Sequence, residues 1–138
     1  MAWTASADVA LVALPPVSAN QRASTPNKFW EALAAGTPIV LGPDLPEMAR
    51  ILLADELGVV ARSLRPGDLA AGIRTVLDVG PEVAVSRRRR IAAVARDRYS
   101  WPSAAGAYRS LVAGLIGSTG SADLTAPVGP RRQRDAGP

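Results

Sequence analysis

Three short apolar runs punctuate the chain. Ala7-Asp8-Val9-Ala10-Leu11-Val12-Ala13-Leu14 ends at Pro15-Pro16, Thr37-Pro38-Ile39-Val40-Leu41 ends at Gly42-Pro43, and Gly58-Val59-Val60-Ala61 follows. Continuous rather than alternating runs of this length suit strands buried on both faces of a parallel sheet. Between them the spacing predicts helices. Thr25 is an N-cap candidate with Pro26 at the first helical position, and the helix over 26–35 stops at Gly36. Residues 45–55 repeat the device with Pro46, and Met48, Ile51 and Leu52 form an i, i+3, i+4 stripe. Leu69, Ile73, Val76 and Leu77 predict an amphipathic helix over 66–78. Residues 82–98 are helical in a weaker pattern interrupted by Arg87 to Arg90, and Ser100 is expected to cap a last helix. On that helix Trp101, Ala105, Tyr108, Leu111, Val112 and Leu115 share a face. Strands separated by single helices imply right-handed crossovers, a parallel sheet and an α/β class. Three strands are few for a complete domain of this kind, because sheet edges need cover. The organisation expected is an α/β unit over 1–117 and, where Gly, Ser, Pro and Arg dominate without periodicity, a disordered tail over 118–138.

Composition narrows the chemistry. The 138 residues allow one domain, and 26 of the hydrophobic side chains are alanine, so the core is built from small residues. Cysteine and histidine are absent, which removes disulfides, thiol nucleophiles, Cys/His zinc sites and Ser-His charge systems. No apolar run reaches the roughly 18 residues of a spanning helix, and no signal peptide opens the chain. A soluble cytoplasmic protein is the expectation. Residues 81–117 carry seven basic and two acidic groups, against six and eight over 1–80. Fifteen of the sixteen basic residues are arginine, a composition of GC-rich coding that weakens arguments from arginine number alone.

In an open α/β sheet, ligands bind beyond the carboxyl ends of the strands. That rule selects the loops over 15–25 and 42–46. The first leads into the N-terminus of the 26–35 helix, whose free N–H groups and positive dipole end attract anions. Asn27, Lys28 and Glu31 stand three or four positions apart on one side of it, while Phe29 and Leu33 face the sheet. An amide, an ammonium and a carboxylate so placed suit a phosphate and a ribose diol. The same spacing also describes an exposed Lys28–Glu31 i, i+3 pair worth a few tenths of a kcal/mol. The Arg87-Arg88-Arg89-Arg90 run lacks interleaved aromatics, so a solvated face is expected rather than a nucleic-acid surface. Trp30, Trp101 and Tyr108 are expected to pack.

The stretch Asn20-Gln21-Arg22-Ala23-Ser24-Thr25-Pro26-Asn27-Lys28-Phe29-Trp30-Glu31-Ala32-Leu33-Ala34-Ala35-Gly36-Thr37-Pro38-Ile39-Val40 resembles the signature of the large retaining glycosyltransferase family 4, which has the two-domain GT-B fold. Ala7 to Val12, Asp44-Leu45-Pro46-Glu47 and Tyr99-Ser100-Trp101 fit in order around it, so the resemblance covers 7–116. It implies a partial Rossmann-like sheet, the distal half of a C-terminal donor-binding domain. It further implies a nucleotide-diphosphate-sugar site comprising Asn20, Ser24, Thr25, Pro26, Asn27, Lys28, Glu31 and Glu47. In such enzymes the carboxylate matching Glu31 holds the ribose hydroxyls, and the amides opening that helix contact the diphosphate or sugar. The second glutamate common eight positions earlier is Ala23 here, and Leu41-Gly42-Pro43-Asp44 replaces the usual glycine pair. No Asp-x-Asp motif occurs, in keeping with metal-independent transfer, and no cofactor or catalytic residue is implied. Before Ala7 stand only six residues that read as the end of a preceding helix, so Met1 is expected to match an interior position of a longer ancestral chain. The expected function is hexosyl transfer from the nucleotide sugar to an acceptor, present as a truncated donor-binding part. The alternative is a non-catalytic remnant or interaction module. Either implies a partner polypeptide supplying the other half, or self-association, with no nucleic acid and no transmembrane segment.

Overall fold

The computed structural model describes residues 2–15 and 17–118. The tail expected to be disordered lies, from residue 119 on, outside the described residues. The elements run α1 (Ala2–Ser6), β1 (Ala10–Val12), α2 (Ala19–Ala23), α3 (Asn27–Ala34), β2 (Ile39–Leu41), α4 (Pro46–Ala54), β3 (Gly58–Val60), α5 (Pro66–Leu77), α6 (Pro81–Arg98) and α7 (Trp101–Ser118). The three strands form a parallel sheet in the order β1-β2-β3, with Val40 opposite Leu11 on one side and Val59 on the other.

The central strand is buried on both faces, as its unbroken apolar run requires. Ile39 and Leu41 point into a core with Phe29, Leu33, Met48, Leu52 and Ile91, from α3, α4 and α6. Val40 points the other way, to Ala61 and the α5 residues Val76, Leu69 and Ile73. Period-two alternation along one strand thus fixes helices on both faces. The strands are shorter than the apolar runs. The β1–β2 ladder is bounded by Ala10 N–H donating to Pro38 O (2.9 Å) and Gly42 N–H donating to Val12 O (2.9 Å), so β2 offers only Ile39 to Leu41 for pairing. The flanks of the Ala7–Leu14 run therefore stay outside the sheet.

Helix ends follow local chemistry. At α3, Gly36 N–H donates to Leu33 O and Thr37 N–H to Ala32 O, a double closure requiring the positive φ (71°) of Gly36. A Cβ at Gly36 would also stand 2.7 Å from Arg88 O. The expected start of α3 shifts by one residue: Pro26 has ψ of 143° and is itself the N-cap, without a side-chain cap bond. Proline's ring fixes φ only, and an extended ψ at Pro26 leaves Asn27 as the first helical residue. Ser100 stands at the start of α7 as expected, its carbonyl accepting from Ala104 N–H (3.2 Å). Its hydroxyl donates back to Arg96 O (2.6 Å), closing the end of α6.

The basic run of α6 forms one uninterrupted helix with its flanks, and it is not simply a solvated face. Arg88 donates to Ala7 O (2.6 Å) and to Ala5 O at the end of α1. Arg90 donates to Asp55 O (2.7 Å) and Glu56 O (2.6 Å) at the end of α4. Both guanidinium groups satisfy helix-terminal carbonyls, where positive charge also suits the dipole. Arg89 remains exposed. Beside Arg90, the Asp55 carboxylate accepts from Arg98 and from Tyr99 OH (2.6 Å). Tyr99 leans on Trp30, with ring centroids 5.7 Å apart, and Trp30 stands edge-on to Phe29. Asp55 and Glu56 lead into β3, and Ala5 and Ala7 into β1, so α6 ties down the amino ends of the strands and leaves their carboxyl ends to the loops.

The chain divides into two compact units, Met1–Ala104 and Ala105–Pro138. Everything above belongs to the first. There Trp101, expected to pack, is 65% exposed. In the second, Ala105 of the expected stripe is buried, while Tyr108, Leu111 and Leu115 are each more than half exposed. Among the described residues, no helix is long and apolar enough to cross a membrane.

Candidate functional site

Three loops meet at the carboxyl ends of the strands. A Cβ on Gly42 would stand 2.9 Å from the Leu64 side chain and 3.6 Å from Ala13 Cα. The residues following β1, β2 and β3 therefore converge on Gly42, where an added Cβ would displace the end of the Leu64 side chain.

The loop after β1 carries α2, an element that apolar periodicity does not reveal. The Ser18 hydroxyl accepts from Gln21 N–H (3.2 Å), while the Gln21 side-chain oxygen accepts from Val17 N–H (2.8 Å). This reciprocal pair is close to a capping box, and the signal for it was Ser18-x-x-Gln21. At the other end of α2 the Ser24 hydroxyl donates to Gln21 O (2.9 Å), and Ser24 turns extended. Gln21 thus fixes both ends of the helix that carries Asn20. Helix α2 packs against α4, which brings the Asn20–Ser24 segment next to the helix of Glu47.

Helix α3 buries Phe29, Ala32 and Leu33 and presents Asn27, Lys28 and Glu31 to solvent. The grouping expected from spacing therefore exists on one exposed side. Among the described residues, Lys28 and Glu31 form no ion pair with each other or with any other group, so the surface-pair reading is not realised. No side chain caps the helix, which leaves the first N–H groups, those of Asn27 and Lys28, open at its positive end.

Glu47 is differently placed. It sits exposed in the first turn of α4 and holds Arg50 through two contacts, of 2.5 and 3.1 Å. The Arg50 hydrogen bond, reinforced by its charge, pulls the Glu47 carboxyl below its ordinary pKa. Glu47 is therefore already matched to a cation. Asn20, Thr25, Asn27, Lys28, Glu31 and Glu47 are exposed, while Ser24 and Pro26 are half-buried. No side-chain hydrogen bond or ion pair joins any two of these eight residues.

The arrangement is an open shelf: a helix start with free donors, a carboxylate one turn further on, and a short capped helix beside it. None of the eight lines the hollow of about 230 Å³ between Trp30, Leu33, Ala92 and Tyr99, or that of about 600 Å³ at Thr75, Ser86 and Arg87. Among the described residues, no group of three or more acidic, His or Cys side chains could hold a metal ion. The shelf can offer amide donors to a phosphate and a carboxylate acceptor to paired hydroxyls, and it offers no base held against a nucleophile. No family model, no curated protein and no solved structure matches the chain.

Proposed function

We propose that the chain binds a nucleotide-diphosphate sugar at the carboxyl ends of its sheet, as the distal part of the donor-binding domain of a retaining glycosyltransferase. The observation that carries this reading is the opening of α3. Pro26 holds the chain extended and no side chain caps the helix, so the Asn27 and Lys28 amides are free for a diphosphate. One turn on, Glu31 is exposed and without an ionic partner, free to accept from ribose hydroxyls. The Pro-Asn-Lys-x-x-Glu-x-x-Ala-x-Gly-x-Pro string aligns these features with the family signature. The parallel β1-β2-β3 order with helices on both faces supports the same fold.

Transfer itself asks for more than this shelf. Stabilising a departing diphosphate depends on positioning and on charges converging from several sides in a site that excludes water. The shelf has one wall, and a partner polypeptide, a second copy of the chain or a longer chain would have to supply the other. The exposure of the α3 face also favours a second reading, a non-catalytic interaction module that keeps the scaffold.

Nuclear magnetic resonance titration of the labelled chain with nucleoside diphosphates tests the proposal. The amides of Thr25, Asn27 and Lys28 and the Glu31 side chain should respond first and saturably. Shifts confined to the Arg87 to Arg90 segment and erased by moderate salt would mean nonspecific polyanion binding and refute it.

A further inference from the structure

The outer edge of β3 is open along its length. In the parallel ladder, β2 engages Leu57 O (Ile39 N–H, 3.3 Å) and Ala61 N–H (Leu41 O, 2.8 Å), with Val59 paired between them. By alternation, the N–H and C=O groups of Gly58 and Val60 point away from the sheet. Among the described residues no strand pairs with them. The strand is short, at three residues, but Gly58-Val59-Val60 holds no proline, no charge and no bulge.

A trough follows this edge. Hollows of about 440 and 600 Å³ share Val59 and Thr75, so together they run past the strand from one end to the other. Thr75 of α5 lines both hollows, and Ala71 and Gly72 line the one at the carboxyl end, where the glycine lets the helix lie close on Val40 and Val59. The edge from Gly58 to Arg62 spans about 13 Å, the length of four extended residues.

Charge distinguishes the two ends. At the carboxyl end Arg62 stands near Asp68, whose carboxylate already accepts from the Ser63 hydroxyl (2.5 Å). At the amino end Arg87 and Arg90 face Glu82, and Arg90 is committed to the Asp55 and Glu56 carbonyls. Arg87 is half-buried and, among the described residues, has no hydrogen-bonded or ionic acceptor. A guanidinium partly withdrawn from water without an acceptor favours an incoming carboxylate.

We propose that the β3 edge binds an extended peptide of another protein as a fourth strand, with an acidic side chain of that peptide received by Arg87. Main-chain bonds to Gly58 and Val60 supply affinity, and the trough and Arg87 supply selectivity. The proposal is independent of donor binding, which lies at the carboxyl ends of the strands.

Fluorescence anisotropy with a labelled acetyl-Asp-Val-Thr-Val-Thr-Asp-amide probe tests it, since the acids at both ends serve either strand direction. The wild-type chain should bind this probe and bind the Lys-flanked counterpart at least about tenfold more weakly, the effect of one charge-assisted hydrogen bond. Val60→Pro removes an outward N–H together with a side chain packed on the core, so circular dichroism must first show it folded, while Arg87→Glu reverses the receiving charge. Each should weaken the acidic probe about tenfold or more. No binding by wild type, equal binding of the two probes, or undiminished binding by both variants would overturn the proposal. So would a peptide-free dimer in sedimentation that Val60→Pro abolishes, because the occupant would then be a second copy.

Discussion

Gly58→Ala and Gly67→Ala make the same chemical change with opposite expected signs. At Gly58 an added Cβ would stand 2.0 Å from Ile39 O and 2.8 Å from Ile39 N and C. Contacts under 3.0 Å are essentially never adopted, so β2 and β3 would have to part by about 1 Å. Such a gap stretches the adjacent Ile39 N–Leu57 O bond, already 3.3 Å, beyond hydrogen-bonding range and strains its neighbours. Losing two or three ladder bonds at about 1 kcal/mol each, with about 1–2 kcal/mol of packing strain, gives a destabilisation of about 3–5 kcal/mol. That is a large share of the roughly 5–15 kcal/mol that holds a domain together, and it lowers the melting temperature by well over 10 °C. Gly67 lies in the first turn of α5 and an added Cβ meets nothing within 4 Å. There alanine should stabilise by about 0.5–1 kcal/mol through helix propensity and a less flexible unfolded chain. Thermal and urea unfolding followed by circular dichroism measure both. A Gly58→Ala protein within 0.5 kcal/mol of wild type would refute the β2–β3 register and the edge geometry built on it.

The arginine run should divide by position. Arg88→Met and Arg90→Met each strip charged donors from helix-terminal carbonyls and should destabilise by about 1–2 kcal/mol, whereas Arg89→Met should stay within 0.5 kcal/mol in the same urea titrations. Burial and the hydrogen bond to Asp55 raise the Tyr99 phenol above its ordinary value of 10.0. A raised folded-state pKa gives stability that is present below pH 10 and lost as pH climbs through the folded value. Tyr99→Phe should therefore flatten the fall in stability above pH 10, read by urea midpoints from pH 8 to 11, and cost about 1 kcal/mol near neutrality.

Much of the layout is legible in the sequence because proline and glycine mark the boundaries. Pro46, Pro66, Pro81 and Gly36 bound helices, and the unbroken Ile39-Val40-Leu41 run marks a strand covered on both faces. The strand lengths were not legible, because β1 can pair only as far as β2 extends between Pro38 and Gly42. Helix α2 escaped because it has no apolar stripe; its signal is the Ser18-Gln21 exchange alone. Nor could sequence separate Arg88 and Arg90 from Arg89, since their acceptors lie 81 to 83 and 34 to 35 positions away. At the shelf, spacing placed Asn27, Lys28 and Glu31 together on one side of α3, which depends only on the helix. The Glu47–Arg50 pair is local too, and an i, i+3 count would have found it. The packing of α2 against α4 depends on how a loop closes over the sheet, which no local rule states.

The most direct test of donor binding is the affinity of the chain for a nucleoside-diphosphate sugar before and after Glu31→Gln, measured by isothermal titration calorimetry. Glu31 is exposed and makes no ion pair, so the substitution leaves the fold as it is and removes only the charge offered to a ribose diol. A charge-assisted hydrogen bond is worth about 1.5–3 kcal/mol, so the dissociation constant should rise about ten- to a hundredfold. Equal affinity in the two proteins would contradict the assignment of Glu31 and the reading of the α3 shelf as a nucleotide-sugar site.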